Sequence, residues 1–281
     1  MLSTVDWVVK AKFCSMLYQT QSLARELRDR LVTTRLGREA SVLDSIASTQ
    51  DEARRLAAGG AAEGSLVWAL EQTHGRGRMD RAWSSPRGSG LWFSLVLRPE
   101  LPADVMPWLT LAAGVGVATA LRRLAGVDIR LKWPNDLLLG RAKLGGILAE
   151  AESAEGRIAF VVLGVGVNLR RPPGGFDPAV DPPPAALQDG GELPGSPAAV
   201  LAAVLAELES AYDALAAGGA GDIRRRWLDL SDTVGRHVSA QVAGDSIEGL
   251  AVDIAADGAL LIERADGSRV PVSSGEVIHL R

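Results

Sequence analysis

Thr73-His74-Gly75-Arg76-Gly77-Arg78-Met79-Asp80-Arg81 opens a glycine- and arginine-rich span that runs to Gly90, where it gives way to Leu91-Trp92-Phe93-Ser94-Leu95-Val96-Leu97. The first part has no apolar period and reads as a long loop, of the kind that is usually functional; the second reads as a strand. Working outward toward the N-terminus, Ser65–Leu70 and Val42–Ile46 also read as strands. Between them, Ser48-Thr49 followed by Asp51 and Glu52 has capping-box spacing, which predicts a helix through Ala58 that Gly59-Gly60 stops. Leu23, Leu27, Leu31 and Val32 recur at helical spacing and predict a further helix over Gln21–Leu36.

Toward the C-terminus a helix is expected over Leu109–Leu124 and strands over Ile129–Trp133, Leu144–Glu150 and Ile158–Val167. Arg171–Pro197 is dense in Pro, Gly and Asp and reads as a loop or lid. Ser196-Pro197 caps a helix to about Leu215, and a shorter helix covers Ile223–Leu230. From His237 onward, β-branched runs are punctuated by Asp257-Gly258 and Asp266-Gly267, two hairpin turns that predict a small antiparallel barrel. The fold class is α+β.

The chain has 281 residues, 47% hydrophobic and 23% charged, enough for one large domain with or without a small one. Its formal charge of -4 offers no general attraction for nucleic acid or anionic lipid, so an anionic ligand needs a local basic cluster. Cys14 is the only cysteine, which excludes an internal disulfide and favours a reducing cytoplasm. Asp6, Lys10 and Lys12 interrupt the first apolar residues, so no export signal is expected. The apolar run from Trp108 ends at Arg122-Arg123, too soon to span a membrane. The stretch before Val42 is too short for the helices and hairpin of a winged helix, so no DNA-binding module is expected.

Three clusters carry chemistry. Glycines of the Thr73–Gly90 loop let backbone wrap a ligand, while Arg76, Arg78 and Arg81 neutralise oxyanions. The competing reading is a flexible Arg-Gly segment that binds RNA. Lys132-Trp133-Pro134-Asn135-Asp136 ends a strand and presents Asn135 and Asp136 on the following loop, with Lys143-Leu144-Gly145-Gly146 soon after. Either lysine taken alone reads better as a solvated surface charge, with the glycines forming a bulge. Gly164-Val165-Gly166-Val167-Asn168 lacks the third glycine of a dinucleotide fingerprint, and no Walker A sequence occurs.

The order of Ser48-Thr49, Gln72, the Gly75–Trp83 loop, Lys132–Asp136, Lys143–Glu150, Gly164–Asn168 and a final Gly275-Glu276-Val277-Ile278-His279-Leu280-Arg281 resembles the biotin protein ligase family, in the form without an N-terminal DNA-binding domain. The resemblance covers about Val42–Arg281. It implies a mixed sheet flanked by helices over 41–232, a C-terminal SH3-like barrel over 233–281 and an N-terminal extension over 1–40. It also implies a ligase that makes biotinyl-5′-AMP from biotin and ATP with Mg²⁺, then biotinylates a lysine of a biotin carboxyl carrier domain, with no DNA or membrane partner, as a monomer or weak homodimer.

On that resemblance Lys143 and Arg78 are the expected catalytic groups. Biotin is expected at Ser48, Thr49, Gln72, Gly75, Arg76, Arg78, Lys143 and Gly146, and the nucleotide at Arg78, Arg81, Trp83, Lys132, Asn135 and Asn168; no metal ligand is assigned. Helix capping alone also accounts for Ser48 and Thr49. Similar enzymes usually have Asn where this chain has Gln50, and often Gly where it has Asp80. They also commonly carry Thr-Ser-Leu near Ala185-Ala186-Leu187, which puts the adenine contacts in question. The alternatives are a lipoate-type acyl ligase of the same fold and, in a different class, a nucleic-acid-binding module using the Arg-Gly loop.

Overall fold

The capping box at Ser48 and the apolar run from Gly90 fix the two sides of one layer. In the computed structural model, which describes residues 4–101, 105–155, 157–242 and 245–280 with side chains from residue 17 onward, Ser48 Oγ accepts from Asp51 N–H at the start of the helix Thr49–Ala58. That helix, α2, covers one face of a seven-stranded sheet through Ala53 and Ala57, packed on Val67, Val96, Phe160 and Val162. The sheet comprises β1 (Ala40–Leu43), β2 (Leu66–Ala69), β3 (Gly90–Leu97), β4 (Ile129–Lys132), β5 (Asp136–Leu139), β6 (Ala142–Ala154) and β7 (Arg157–Asn168). Its order is β1-β2-β3-β7-β6-β5-β4, with β1 and β2 parallel and the other neighbours antiparallel, so the sheet is mixed.

The opposite face carries α3 (Met106–Ala125) and α4 (Pro197–Ala216), with α5 (Ala220–Leu230) and α1 (Thr4–Arg30) packed against them. Cover on both faces explains why every residue of β3 is buried.

A second sheet follows, with order β11-β10-β9-β8-β12 and antiparallel pairing throughout: β8 (His237–Val242), β9 (Asp245–Ile254), β10 (Leu260–Glu263), β11 (Arg269–Val272) and β12 (Glu276–His279). Gly258 and Gly267 take φ of +83° and +81° in the two expected hairpin turns. The sheet is docked by two indoles: Trp108 Nε1 donates to Ala256 O at 2.7 Å and Trp133 Nε1 to Gly258 O at 3.2 Å.

Three expectations are corrected. The first helix spans Thr4–Arg30 rather than Gln21–Leu36, because the backbone N–H groups of Thr34, Arg35 and Leu36 donate to the Glu209 carboxylate and leave the helix; Val32, expected on its apolar face, is exposed. β1 ends at Leu43 instead of Ile46. Asp136 does not lie on a loop: it starts β5, a four-residue strand hidden between turn-forming Pro134-Asn135 and Gly140. Within Arg171–Pro197, Ala186 and Leu187 are buried at the start of a single helical turn.

Candidate active site

Glycines on β6 and β7 make the cavity possible. A Cβ at Gly166 would stand 2.7 Å from Trp83 Nε1, and one at Gly164 would stand 2.5 Å from Gln50 Oε1. Bare backbone there lets the Trp83 indole and the Gln50 amide lie close against the sheet. The glycines of Gly164–Asn168 therefore serve side-chain approach on a strand, which agrees with the missing dinucleotide fingerprint. Above them is a hollow of about 240 Å³, walled by the arginine loop, the ends of β4 to β6, the 180–182 segment and Gly275-Glu276-Val277 of the second sheet.

One end of the hollow is a neutral polar floor. Thr49 N–H and Oγ1 lie 2.8 and 3.0 Å from Gln72 Oε1, and Thr49 Oγ1 is 2.9 Å from Ser94 Oγ. Ser94 Oγ donates to Gln50 Oε1 at 3.1 Å, and Gln72 Nε2 donates to Ser85 Oγ at 2.8 Å.

The other end is cationic. Five basic residues (Arg76, Arg78, Arg81, Lys132, Lys143) line the cavity against three carboxylates (Asp136, Asp181, Glu276), the reverse of the chain's overall balance. Arg76 is engaged by Asp51 and Glu150, Arg81 by Glu276 and Lys143 by Asp136, with Lys143 Nζ 2.7 Å from Oδ1. Arg78 reaches only Asn135 Oδ1 at 3.3 Å and Gly275 O at 3.5 Å. Lys132 has no hydrogen-bond or ion-pair partner among the described residues. Burial pushes the pKa of both Arg78 and Lys132 below its ordinary value, and nearby Lys143 adds to the effect on Lys132. Asp136 and Glu276 act on both from a distance, and Asp181 also on Lys132, but neither cation is in a direct ion pair, so the two half-buried charges suit an anionic ligand.

Behind Lys132 on β12 lies His279, its Nδ1 3.5 Å from Asp232 Oδ2 and its pKa pushed down to about 4 by burial and then by Lys132. Trp83 stands beneath Lys143, whose Nζ is 5.5 Å from the ring centroid, with Gly146 alongside.

Of the residues expected from sequence, the structure gathers Thr49, Gln72 and Gly146 with Arg76, Arg78 and Lys143 in this hollow, together with Arg81, Trp83, Lys132 and Asn135. Three lie outside its lining. Ser48 is 1% exposed and caps α2; Gly75 is buried under the loop, where a Cβ would crowd Ser85 Oγ at 2.9 Å; Asn168 donates through Nδ2 to Ala185 O at 2.9 Å. Sequence reasoning did not place Ser94, Asp181 or Glu276 in the site. A single hydroxyl inside an otherwise apolar strand was the available signal for Ser94; Glu276 had none, since it arrives from the second sheet.

Residues 42–168 match the model of the biotin/lipoate A/B protein ligase family, and residues 233–280 match the biotin protein ligase C terminal domain. A bifunctional ligase/repressor BirA of Bacillus subtilis is 36% identical over 243 residues, 86% of this chain and 74% of that one. The chain belongs to the biotin protein ligase family. Another relative, the biotin--[acetyl-CoA-carboxylase] ligase of Mycobacterium tuberculosis, is 35% identical over 271 residues, covering 92% of this chain and 95% of that one. The family's fold is matched in the solved biotin protein ligase of Aquifex aeolicus in complex with biotin and ATP, with a TM-score of 0.75 at 25% identity, over 86% of this chain and 99% of that one.

Proposed function

We propose that this chain activates the carboxylate of biotin with ATP as biotinyl-5′-AMP and then passes biotin to a lysine of a biotin carboxyl carrier domain. The observation that carries this reading is the coexistence, in one hollow, of a neutral hydrogen-bonding floor with Arg78 and Lys132, two half-buried cations that make no direct ion pair with a carboxylate among the described residues. A ligand pair with an uncharged polar ring at one end and a carboxylate meeting a triphosphate at the other answers both.

Biotin's carboxylate is ionised at neutral pH, so its attack on the α-phosphorus needs no general base. The barrier is the meeting of anions, lowered by fixed cations and in-line positioning. Lys143 exchanges Asp136 for the reacting carboxylate and α-phosphate, Arg78 clamps the same oxygens from the loop, and Lys132 draws off the pyrophosphate. As the carboxylate oxygen bonds to phosphorus, the bond to the bridging oxygen breaks and pyrophosphate leaves. In the second step the carrier's neutral amine adds to the acyl carbon, AMP departs with the bonding pair, and a proton is released. Trp83, Arg81 and Asn135 flank the nucleotide in this scheme.

Magnesium fits as a partner of ATP's own phosphates: Asp181, and Asp136 once Lys143 leaves it, offer carboxylate oxygens, and among the described residues no three acidic, His or Cys side chains form a dedicated cage. Bound there, it would neutralise phosphate charge. No helix among the described residues is long and apolar enough to cross a membrane; a cytoplasmic setting and a biotin-dependent carboxylase as partner complete the proposal. The nucleic-acid reading loses support because Arg76, Arg81 and Arg87 are paired with carboxylates and form no free basic stripe.

The test is incubation of the purified chain with ATP, Mg²⁺ and either biotin or lipoate, reading the adenylate by mass spectrometry, followed by transfer to a carrier domain. Biotinyl-AMP and ATP-dependent labelling of the carrier lysine are expected. An adenylate formed with lipoate alone would transfer the assignment to the lipoate branch, and salt-dependent RNA binding without ATP turnover would transfer it to the nucleic-acid class.

A further inference from the structure

We infer that Glu150, acting through Gln50, fixes the cavity floor as a surface of hydrogen-bond acceptors and so selects a ligand that presents N–H donors there. The inference deepens the proposed function and rests on it.

Glu150 lies on β6 with its carboxylate bridged by Arg54 and Arg76, each at 2.8 Å. Gln50 Nε2 donates to Glu150 Oε2 at 3.0 Å and to Val162 O at 3.1 Å. A carboxylate held between two guanidinium groups and a backbone carbonyl both only accept, so the amide nitrogen must face them and Oε1 must face the cavity. Gly164 leaves the room that Oε1 occupies. Ser94 is then obliged to donate its single proton to that oxygen.

The other end of the chain of bonds is equally determined. Thr49 N–H can only donate, so the group of Gln72 that meets it at 2.8 Å must be the oxygen, and Gln72 Nε2 turns to Ser85. The one proton of Thr49 goes to Gln72 Oε1 at 3.0 Å or to Ser94 Oγ at 2.9 Å. In both cases Thr49 and Ser94 have no proton left for a ligand, while each oxygen keeps lone pairs. A cyclic urea supplies N–H donors to such a floor. A dithiolane or alkyl chain supplies none and would bury the lone pairs unmatched, the situation in which hydrogen-bonding sites discriminate most strongly.

Glu150 is thus a positioning residue. Without its pull the Gln50 amide keeps only Val162 O on its nitrogen and turns more readily, Ser94 can then point its proton at the ligand, and the floor loses its sign.

The experiment uses the full chain and ATP–pyrophosphate exchange. Glu150→Leu, which removes the acceptor altogether, is expected to raise KM for biotin about tenfold or more with kcat within about twofold, and to leave exchange with lipoate at high concentration unchanged or higher. Arg54→Ala, which removes a partner of Glu150 but not Gln50, is expected to keep biotin KM within about twofold, as an exposed ion pair would. Gln50→Met breaks the same relay without touching the ion pairs and is expected to reproduce the KM rise, so the inference stays testable if Glu150→Leu does not fold. It is overturned if the folded variants keep the wild-type biotin KM, or lose biotin and lipoate exchange together through kcat. If the wild type adenylates lipoate and not biotin, it is the proposed function that falls.

Discussion

The two ends of the cavity are built on opposite rules. At the floor, Thr49, Gln50, Gln72 and Ser94 bond to one another and to neighbouring groups, and the hydroxyl protons and both Gln50 amide protons have acceptors within the protein. At the mouth, Arg78 and Lys132 are half-buried with no carboxylate in direct ion-pair contact among the described residues. A neutral network can be completed by the fold alone and therefore arrives preorganised; a cationic one is completed only by what binds. The contrast assigns selection of the acid to the floor and its activation to the mouth.

The division breaks most plainly at the mouth. Lys143→Ala and Arg78→Ala are each expected to slow adenylate formation a hundredfold or more, about 3 kcal/mol of transition-state stabilisation, with a smaller effect on biotin binding. Pyrophosphate exchange at near wild-type rate in both variants would erase the distinction between the two ends.

Next in size is the cost that the mouth's charge imposes on its surroundings. His279 is 18% exposed, and its pKa of about 4 lies below the ordinary 6.5. Between those values the unfolded chain binds the proton that the folded one refuses, so stability rises with pH across this window and is lost as pH falls through it. The difference amounts to roughly 3 kcal/mol. Thermal melts from pH 7 to 4 should therefore show a slope that His279→Gln flattens. A smaller effect is expected from Lys132→Ala, about tenfold in KM for ATP as one phosphate-facing charge is lost. The same variant should raise the His279 pKa, read by NMR titration, because Lys132 is the nearest cause after burial.

Legibility in the sequence followed the same line. Cations at strand ends and on glycine loops were readable because a charge placed in such a position has few structural uses, and Arg78, Lys132 and Lys143 do share one hollow. Their neutralising partners were not, since Glu276 comes from the second sheet and Asp136 from a four-residue strand masked by turn residues. The floor was half legible. Thr49 and Gln72 stood out through capping and motif order, but Glu150 acts from a strand where its charge looks like any solvated carboxylate. Asn168, Ser48 and Gly75 belong to the right segments yet fall outside the cavity lining, because local pattern does not say which side of a strand or cap a group occupies. The first helix ended early for a comparable reason, as its terminating carboxylate, Glu209, lies on α4.

The smallest expected effect tests where the mouth ends. Arg81 pairs through both nitrogens with Glu276, across the seam between the loop and the second sheet, but the two side chains are 54% and 40% exposed. Such a pair contributes at most about 1 kcal/mol, because water screens it and two long side chains lose freedom in making it. Its partner already neutralises Arg81, which therefore belongs with the satisfied groups although it stands among the cations. Glu276→Gln should accordingly shift the melting temperature by only a few degrees and change adenylate formation by less than about threefold, with ATP affinity rising slightly as Arg81 is released. A loss as large as that of Arg78→Ala would mean that the second sheet supplies part of the activating charge geometry, and the mouth would then have to be redrawn across both sheets.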